Sequence, residues 1–346
     1  MRLVAEVAEV KGKRRVGFKR WLILGFIILE IILAGLYPPI PPAVELAAEP
    51  LTDTVSIPIL GDVALTNTIL TVFIADILLI LAAIAVYRAY QGGGLQAPRG
   101  IAGVFEMIVE AMYNLVQSVA GSKWARTFFP LVGTILILVL TVNFMKLLPG
   151  MESIGFVHEI HEGEGYDLQA FGPVSILAEP AEGETGHYNI IPWFRPASTD
   201  LNFTLSIALV AMISVQIIGL RAGGIGYFEK FANFRNFIKM WAREKLGAFD
   251  ILMPFIDIFI GILELIAEFA RIISFTFRLF GSMFAGAVLL GVVGSLFLFV
   301  QTGFLFLEIF FGGVQAFVFA MLTLVFLTMA TQTHGGGGHE EPHEAH

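Results

Sequence analysis

The sequence contains no cysteine among its 346 residues, and only 14% of them are charged. The absence of cysteine excludes disulfides and thiol chemistry, so a zinc ion would have only histidine and carboxylate ligands. A soluble globular domain would have roughly 25% charged residues. The net charge of −8 says little about partners because the two signs are segregated along the chain, and nothing in the sequence indicates nucleic acid as a partner.

Apolar residues, by contrast, make up 56% of the chain and occur in blocks of membrane-spanning length. A spanning helix needs roughly 20 such residues. We therefore predict an all-α polytopic membrane protein with an interfacial amphipathic helix at 101–119, and with two long C-terminal helices that form a hairpin. The predicted spans lie at about 66–87, 128–148, 201–220, 251–300 and 304–331.

The N-terminal segment 1–37 combines a basic start with the apolar stretch Trp21–Tyr37. This pattern fits either a signal peptide or a retained first span. A clear small-x-small cleavage site is missing, so we favour retention. The remaining predicted regions are an outer loop at 38–65, the membrane domain at 66–334 with a second outer loop at 149–200, and a polar, histidine-rich tail at 335–346.

The distribution of basic residues predicts the orientation. Segments 1–20, 88–128 and 221–250 together hold 17 Lys or Arg residues, whereas the two predicted outer loops hold one. Cytoplasmic loops carry an excess of Lys and Arg. The sequence therefore predicts six spans with both termini on the cytoplasmic side, provided that 21–37 is retained.

Four charged residues interrupt the apolar run at 251–300, in steps of four, three and seven residues that share one stripe of a helix. They are Glu264, Glu268, Arg271 and Arg278. No charge follows Arg278 for 29 residues, so its guanidinium should face a protein partner or a wet cavity. Intramembrane charges of this kind are functional by default. Glu268 and Arg271, three residues apart, are placed to pair with each other.

Three segments of the chain are FTFRLFGSMFAG at 275–286, PASTDLNFTLSIAL at 196–209 and VQAFVFAMLTLVFL at 314–327. Together they resemble three segments of the a subunit of F-type ATP synthase. The first is similar to the family segment RLFGNMxAG around the essential arginine, although Ser282 replaces the commoner asparagine. The resemblance extends in order over about 57–334. It implies a stator chain that conducts ions, with no cofactor and no nucleotide site of its own.

The resemblance implies a role for seven residues. These are Arg278, Glu308, Gln315, Asn143, Glu264, Ser274 and Ser282. Arg278 takes the position of the coupling arginine that faces the ring of c subunits, and Gln315 stands beside it. Glu308 and Asn143 fall on the outer half-channel and Glu264 on the inner one, while the two serines occupy polar positions four residues on either side of the arginine.

The resemblance further implies that protons enter from the outer side past Glu308 and reach a carboxylate of the c-subunit ring near Arg278. After nearly a full rotation of the ring they leave past Glu264. The implied partners are the c-subunit ring, the b subunits of the peripheral stalk, other ATP synthase subunits and membrane lipid. No metal and no nucleic acid is implied, and the expected location is an energy-coupling membrane, such as the bacterial plasma (inner) membrane. Two alternatives stay open: a self-contained ion channel or secondary transporter, and a non-conducting membrane scaffold. Asp76 and Lys146 receive no role.

Overall fold

The computed structural model contains five long helices, which we number α1 to α5. They are α1 (Asn67–Gln91), α2 (Ile101–Met145), α3 (Leu201–Gly223), α4 (Ala248–Leu296) and α5 (Leu298–Thr331). The structure describes residues 21, 24–25, 28–29, 31–32, 47–58, 61–91, 100–148, 151–159, 165–171, 174–178, 180, 186–231, 248–296 and 298–332.

Within these ranges, four helices are long and apolar enough to cross a membrane. They lie at Asn67–Ala89, Gly103–Met145, Leu201–Gly223 and Gly303–Thr331. The predicted span at 251–300 is helix α4, which is 49 residues long and continuous; its crossing of the membrane stays a prediction. Most of the predicted segment 1–37 and the tail at 335–346 lie outside the described residues.

Helix α2 contains both the predicted amphipathic helix and the predicted span at 128–148. The two parts are separated at Gly121, where φ is 74° and ψ is 164°. A residue with a Cβ atom rarely adopts such a positive φ, whereas glycine does so at little cost. The break at Gly121 therefore allows the two parts of α2 to take different directions, and the interfacial position of 101–119 stays a prediction.

The core lies where α2, α3, α4 and α5 meet. The most extensive contact is between α2 and α5, and α3 and α4 pack against each other and against α5. Large side chains such as Phe128, Leu279 and Phe319 are fully buried there beside small ones such as Ala208 and Ala316. Small residues let helix backbones approach closely, which is how helices associate in a membrane.

Helices α4 and α5 are antiparallel with a fixed register. The rings of Phe275 and Phe319 meet at 4.8 Å in an edge-to-face arrangement, and Gly286 lies against Glu308. The two contacts are eleven residues apart on both helices, so the register is the same at both points. The predicted C-terminal hairpin itself stays a prediction.

Helix α1 has the most exposed surface of the spanning helices. Only 11% of its most apolar window is buried, and it packs mainly on α2. Asp76 lies near the middle of α1 with an exposed side chain. A surface of this kind on a membrane helix is left for lipid or for another protein.

The polar segments contain strands, which the all-α prediction did not include. Antiparallel pairs form between β1 (Val55–Ile57) and β2 (Gly61–Val63), between β3 (Gly155–Glu159) and β6 (Tyr188–Pro192), and between β4 (Asp167–Phe171) and β5 (Val174–Ala178). The described parts of the 149–200 segment thus contain two antiparallel strand pairs, where the sequence analysis expected a loop. Each of these strands is five residues long. An alternation of apolar and polar residues over so short a length is not recognisable in a sequence rich in acidic residues and glycine.

Asp200 connects two helices at this end of the molecule. Its Oδ1 accepts a hydrogen bond of 2.9 Å from the backbone N–H of Asn202, as the N-cap of α3, and its Oδ2 accepts one of 2.8 Å from Thr68 on α1. Asp200 and Thr68 are both buried. Asp200 therefore caps α3 and connects it to α1.

We expect Asp200→Ala to lower the free energy of unfolding by about 1–2 kcal/mol, because an N-cap is worth about 1 kcal/mol and Thr68 loses its buried acceptor. The thermal unfolding midpoint of the detergent-solubilised assembly measures this loss. Asp53→Ala, at an exposed position, is the control, and an equal effect of both variants would contradict the assignment.

Candidate functional site

A buried ion pair joins the C-terminal end of α2 to α5. Lys146, directly after α2, donates a hydrogen bond from Nζ to Oε1 of Glu308 and another, of 3.3 Å, to the backbone oxygen of Met283 on α4. The two charged side chains are only 4% and 7% exposed. Burying charges is costly unless their geometry and further hydrogen bonds compensate. This pair therefore holds three helices together at one point.

Gly286 on α4 provides the space for the carboxylate of this pair. A Cβ atom at position 286 would lie 2.5 Å from Oε2 and 2.6 Å from Oε1 of Glu308. Both distances are shorter than any normal contact with a carbon atom. Any larger residue at 286 would therefore displace the carboxylate from its present position.

Polar groups continue from the ion pair along one face of α5. Glu308, Gly312 and Gln315 follow each other at steps of four and three residues, which puts them on one side of the helix; we call them the polar row. Asn143 of α2 donates a hydrogen bond of 3.0 Å from Nδ2 to the backbone oxygen of Gly312. The row extends about 10 Å, at 1.5 Å per residue.

Two atoms along this row have no hydrogen-bond partner within the described parts of the chain. They are Oδ1 of Asn143 and Nε2 of Gln315, both buried. A buried polar group without a partner costs on the order of 1–3 kcal/mol. The row therefore offers a free acceptor and a free donor in its interior, as a path for protons or water would require.

Glu152 lies in the turn that follows α2, outside the spanning segments. Its backbone N–H donates a hydrogen bond of 2.9 Å to the oxygen of Phe194, and its φ of 62° is unusual for a residue other than glycine. Burial raises the pKa of the Glu152 carboxyl above its usual range. The positive charges of Lys146 and Arg195 lower this pKa, whereas the negative charge of Glu308 raises it further. The charges of the ion pair thus affect the pKa of a carboxyl group in this turn.

Arg278 is exposed on the surface of α4. Its level on α5 follows from the contact of Phe275 with Phe319, because the two helices are antiparallel. Three residues after Phe275 on α4 correspond to three residues before Phe319 on α5. Arg278 therefore lies level with Ala316, which follows Gln315 in sequence. Its side chain forms no hydrogen bond and no ion pair with any residue that the structure describes. The guanidinium is therefore directed to surroundings outside the part of the chain that the structure describes.

The two serines near Arg278 differ in their contacts. Ser282 donates its hydroxyl hydrogen to the backbone oxygen of Arg278 at 2.9 Å, with that of Leu279 at 3.1 Å as a second acceptor. This local bond is the ordinary behaviour of a helical serine. Ser274 is exposed and has no hydrogen bond to the described residues. Neither serine joins the polar row.

Arg271 connects the two carboxylates in the first half of α4. Its NH1 lies 2.9 Å from Oε1 of Glu268, and its NH2 lies 3.3 Å from Oε1 of Glu264. The guanidinium also stands 5.3 Å from the ring centre of Phe326 on α5, a cation–π distance. The predicted pair of Glu268 and Arg271 is present, and Glu264 shares the same arginine.

The structure thus brings three of the seven predicted residues together and leaves four apart. Glu308, Asn143 and Gln315 lie along the polar row; Arg278, Ser274 and Ser282 lie on the α4 surface, and Glu264 lies with Arg271. The sequence analysis missed Lys146 and Glu152. The sequence does contain a signal for Lys146, because a charged residue near the end of an apolar span indicates a functional position. For Glu152 the sequence contains no such signal, because it is one of nine acids in its segment.

Comparison with known proteins identifies the family. The family model described as "ATP synthase A chain" matches residues 68–328, which include the polar row and Arg278. The chain belongs to the ATP synthase A chain family. It is 27% identical to ATP synthase subunit a of Helicobacter pylori over 268 residues, covering 76% of this chain and 92% of the relative. It is 26% identical to ATP synthase subunit a of Mycobacterium marinum over 278 residues, covering 79% and 90%.

The resemblance predicted from three short segments is therefore confirmed. As a member of this family with apolar helices of spanning length, the chain is an integral membrane protein of the proton-translocating membrane sector of ATP synthase. Other ATP synthase subunits are accordingly its partners. The roles of individual residues stay proposals, and we develop them below.

We expect Lys146→Met to destabilise the chain by about 3–5 kcal/mol, because it leaves a buried carboxylate without its partner. The double variant Lys146→Met/Glu308→Gln should recover part of this loss, since it removes both charges. The thermal midpoint of the purified complex measures the difference, with Arg126→Met, an exposed position on α2, as the control. A double variant no more stable than the single one would contradict a buried ion pair.

Proposed function

We propose that the chain is the ion-translocating stator subunit of an F-type ATP synthase. It provides two offset half-channels that load protons onto carboxylates of a c-subunit ring and unload them again, so that proton flow drives rotation. The b subunits of the peripheral stalk hold it in place. Its location is the bacterial plasma membrane, with the end of α2 that carries the ion pair on the outer side.

The polar row supports the outer half-channel. It begins at the Glu308–Lys146 pair near the end of α2 and ends at Gln315, close to the level of Arg278. Asn143 offers a free acceptor along the row, and Gln315 offers a free donor at its inner end. A proton that enters at Glu308 can therefore follow polar groups through otherwise apolar surroundings.

The position of Arg278 supports its role as the coupling residue, and this single observation carries the proposal. A self-contained channel or transporter would direct its central charge into its own interior, where its partners lie. Arg278 instead is exposed on α4 without a partner among the described residues. An arginine in hydrocarbon is costly, so a partner protein with an ionisable carboxylate is the arrangement that favours its charge.

The cluster around Arg271 supports the inner half-channel. Glu264 lies 14 residues before Arg278, about 21 Å along the helix axis at 1.5 Å per residue, and its side chain is 35% exposed. It is therefore accessible to a proton that leaves the ring on the inner side. Arg278 lies between the two paths and prevents direct passage of protons from one to the other, because a fixed positive charge repels them.

Arg278→Ala should abolish ATP-driven proton pumping while the complex still assembles, because the charge that discharges the ring carboxylate is lost. Acidification of inverted membrane vesicles measures pumping, and the amount of the chain in the purified complex measures assembly. The matched control is Arg221→Ala, at an exposed position in the last turn of α3. Normal pumping by the Arg278 variant would refute the proposed role.

Gly286→Ala should also impair pumping, although it removes no polar group. The added methyl group would occupy the space of the Glu308 carboxylate and displace it from the polar row. The same assay applies, with Gly303→Ala on α5 as the control, since a Cβ atom there meets nothing within 4 Å. Equal rates for both variants would mean that the position of Glu308 does not matter for transport.

A further inference from the structure

We propose that the exposed face of α1 around Asp76 is the docking surface for a membrane-spanning helix of another, stationary subunit, whose lysine or arginine side chain pairs with Asp76. This inference goes beyond the proposed function, which concerns the proton path and the ring. It rests on that function at one point only, the position of the ring at Arg278.

Six exposed residues form one side of α1, which we call the Asp76 face. They are Ile69, Phe73, Asp76, Ile80, Ala83 and Tyr87. Their spacing alternates between four and three residues, which is typical of a helix that packs along another helix. The face extends about 27 Å along the helix axis, at 1.5 Å per residue. It therefore covers most of a hydrocarbon core that is roughly 30 Å thick.

Asp76 places a carboxylate near the centre of this face. It lies about 14 Å from Asn67 and about 20 Å from Ala89 along the axis, at 1.5 Å per residue, and these residues are the two ends of the spanning part of α1. The short aspartate side chain cannot reach the membrane surface as a long lysine or arginine side chain does. A carboxylate at this depth is costly in hydrocarbon and is nearly always paired. The Asp76 face is therefore unsuited to lipid.

The cation that pairs with Asp76 does not come from this chain. The Asp76 carboxylate forms no hydrogen bond and no ion pair with any residue that the structure describes. The remaining basic residues lie in 1–20, 92–99 and 230–247, which the charge distribution predicts on the cytoplasmic side. The apolar stretch Trp21–Tyr37 carries a single charge, that of Glu30, which would repel a carboxylate. A cation at the depth of Asp76 therefore belongs to another chain.

The partner at this face is a stationary subunit and not the ring. Helix α1 packs mainly on α2, whereas Arg278 lies on α4, which packs on α3 and α5. In the proposed function the ring faces Arg278, on another part of the molecule. An ion pair with a rotating ring would also break during rotation, and separating two charges in a low-dielectric environment is costly. A lasting ion pair at Asp76 suits a subunit that stays in place.

Site-directed cross-linking in the complete purified complex identifies the partner. This chain has no cysteine, so Ile80→Cys introduces its only thiol. The cysteines of the other subunits are replaced by alanine, and the thiol is labelled with a photoactivatable benzophenone maleimide. Ile80 lies about 40° from Asp76 around the helix, at about 100° per residue. The matched control is Leu78→Cys, at a position that is also exposed but lies about 200° from Asp76.

We expect the label of Ile80→Cys to attach to a spanning helix of one stationary subunit, within one helical turn of a lysine or arginine. The label of Leu78→Cys should not reach that helix. Attachment only to lipid, to the ring, or to a helix without a basic residue at this depth would overturn the proposal. Equal yields from the two positions would overturn it as well.

The charge of Asp76 has its own readout, the amount of the partner subunit that remains with this chain in the purified complex. Asp76→Asn should lower this amount about tenfold, because it leaves a buried cation unpaired. Asp76→Glu keeps the charge and should retain the subunit, and Asp53→Asn, at an exposed position outside α1, should have no effect. An unchanged amount in Asp76→Asn would mean that the carboxylate has no cationic partner, and the proposal would fail.

An exchange of charges separates a direct ion pair from an indirect effect. Asp76→Lys should lose the partner subunit, and a change of the basic residue nearest to the cross-link to aspartate should restore it. No recovery would contradict a direct pair. The effect of Arg278→Ala on pumping is measured independently of these variants, so a failure at Asp76 leaves the proposed function standing.

Discussion

The buried pair of Lys146 and Glu308 is the interaction on which the arrangement of the helices depends. It connects residues 162 positions apart in sequence, and its lysine also bonds to the backbone of α4. Three helices are therefore joined by one charged group that is almost inaccessible to water. In lipid there is no hydrophobic driving force between helices, so side-chain packing and interhelical polar contacts decide which faces of α2, α4 and α5 meet. The ion pair and the space at Gly286 select one arrangement, and the polar row follows from it.

The charged residues divide into two groups with different surroundings. One group, at the end of α2, contains Glu152, Lys146, Arg195 and Glu308; the other, in the first half of α4, contains Arg271 with its two carboxylates. In both groups each base lies near at least one acid, which limits the cost of burial. Arg278 lies between the groups and belongs to neither. Its exposed side chain has no partner among the described residues, which agrees with membership in a family whose members work within a larger complex.

Hydropathy predicted the helices well because the physics is local: an apolar block of about 20 residues is stable in a membrane only as a helix. The positions of α1, α3 and α5 agree with the predicted spans within a few residues, and Gly121 separates the two parts of α2 where two elements were expected. The strands were missed because their pairing is not encoded in any single segment; β3 pairs with β6 across about 30 residues. The partner of Lys146 was missed for the same reason, whereas the face shared by Glu308 and Gln315 follows directly from helical periodicity.

The constant register between α4 and α5 restricts how the length of this chain can vary. Each α-helical residue turns the chain by about 100°. One residue inserted between Phe275 and Gly286 would therefore rotate Gly286 away from Glu308 while the contact of Phe275 with Phe319 stays in place. An insertion between Glu308 and Phe319 on the other helix would not restore the contact, because it would turn Glu308 away from α4 as well. Neither of these two eleven-residue intervals can therefore change by a single residue without loss of the contact between Gly286 and Glu308.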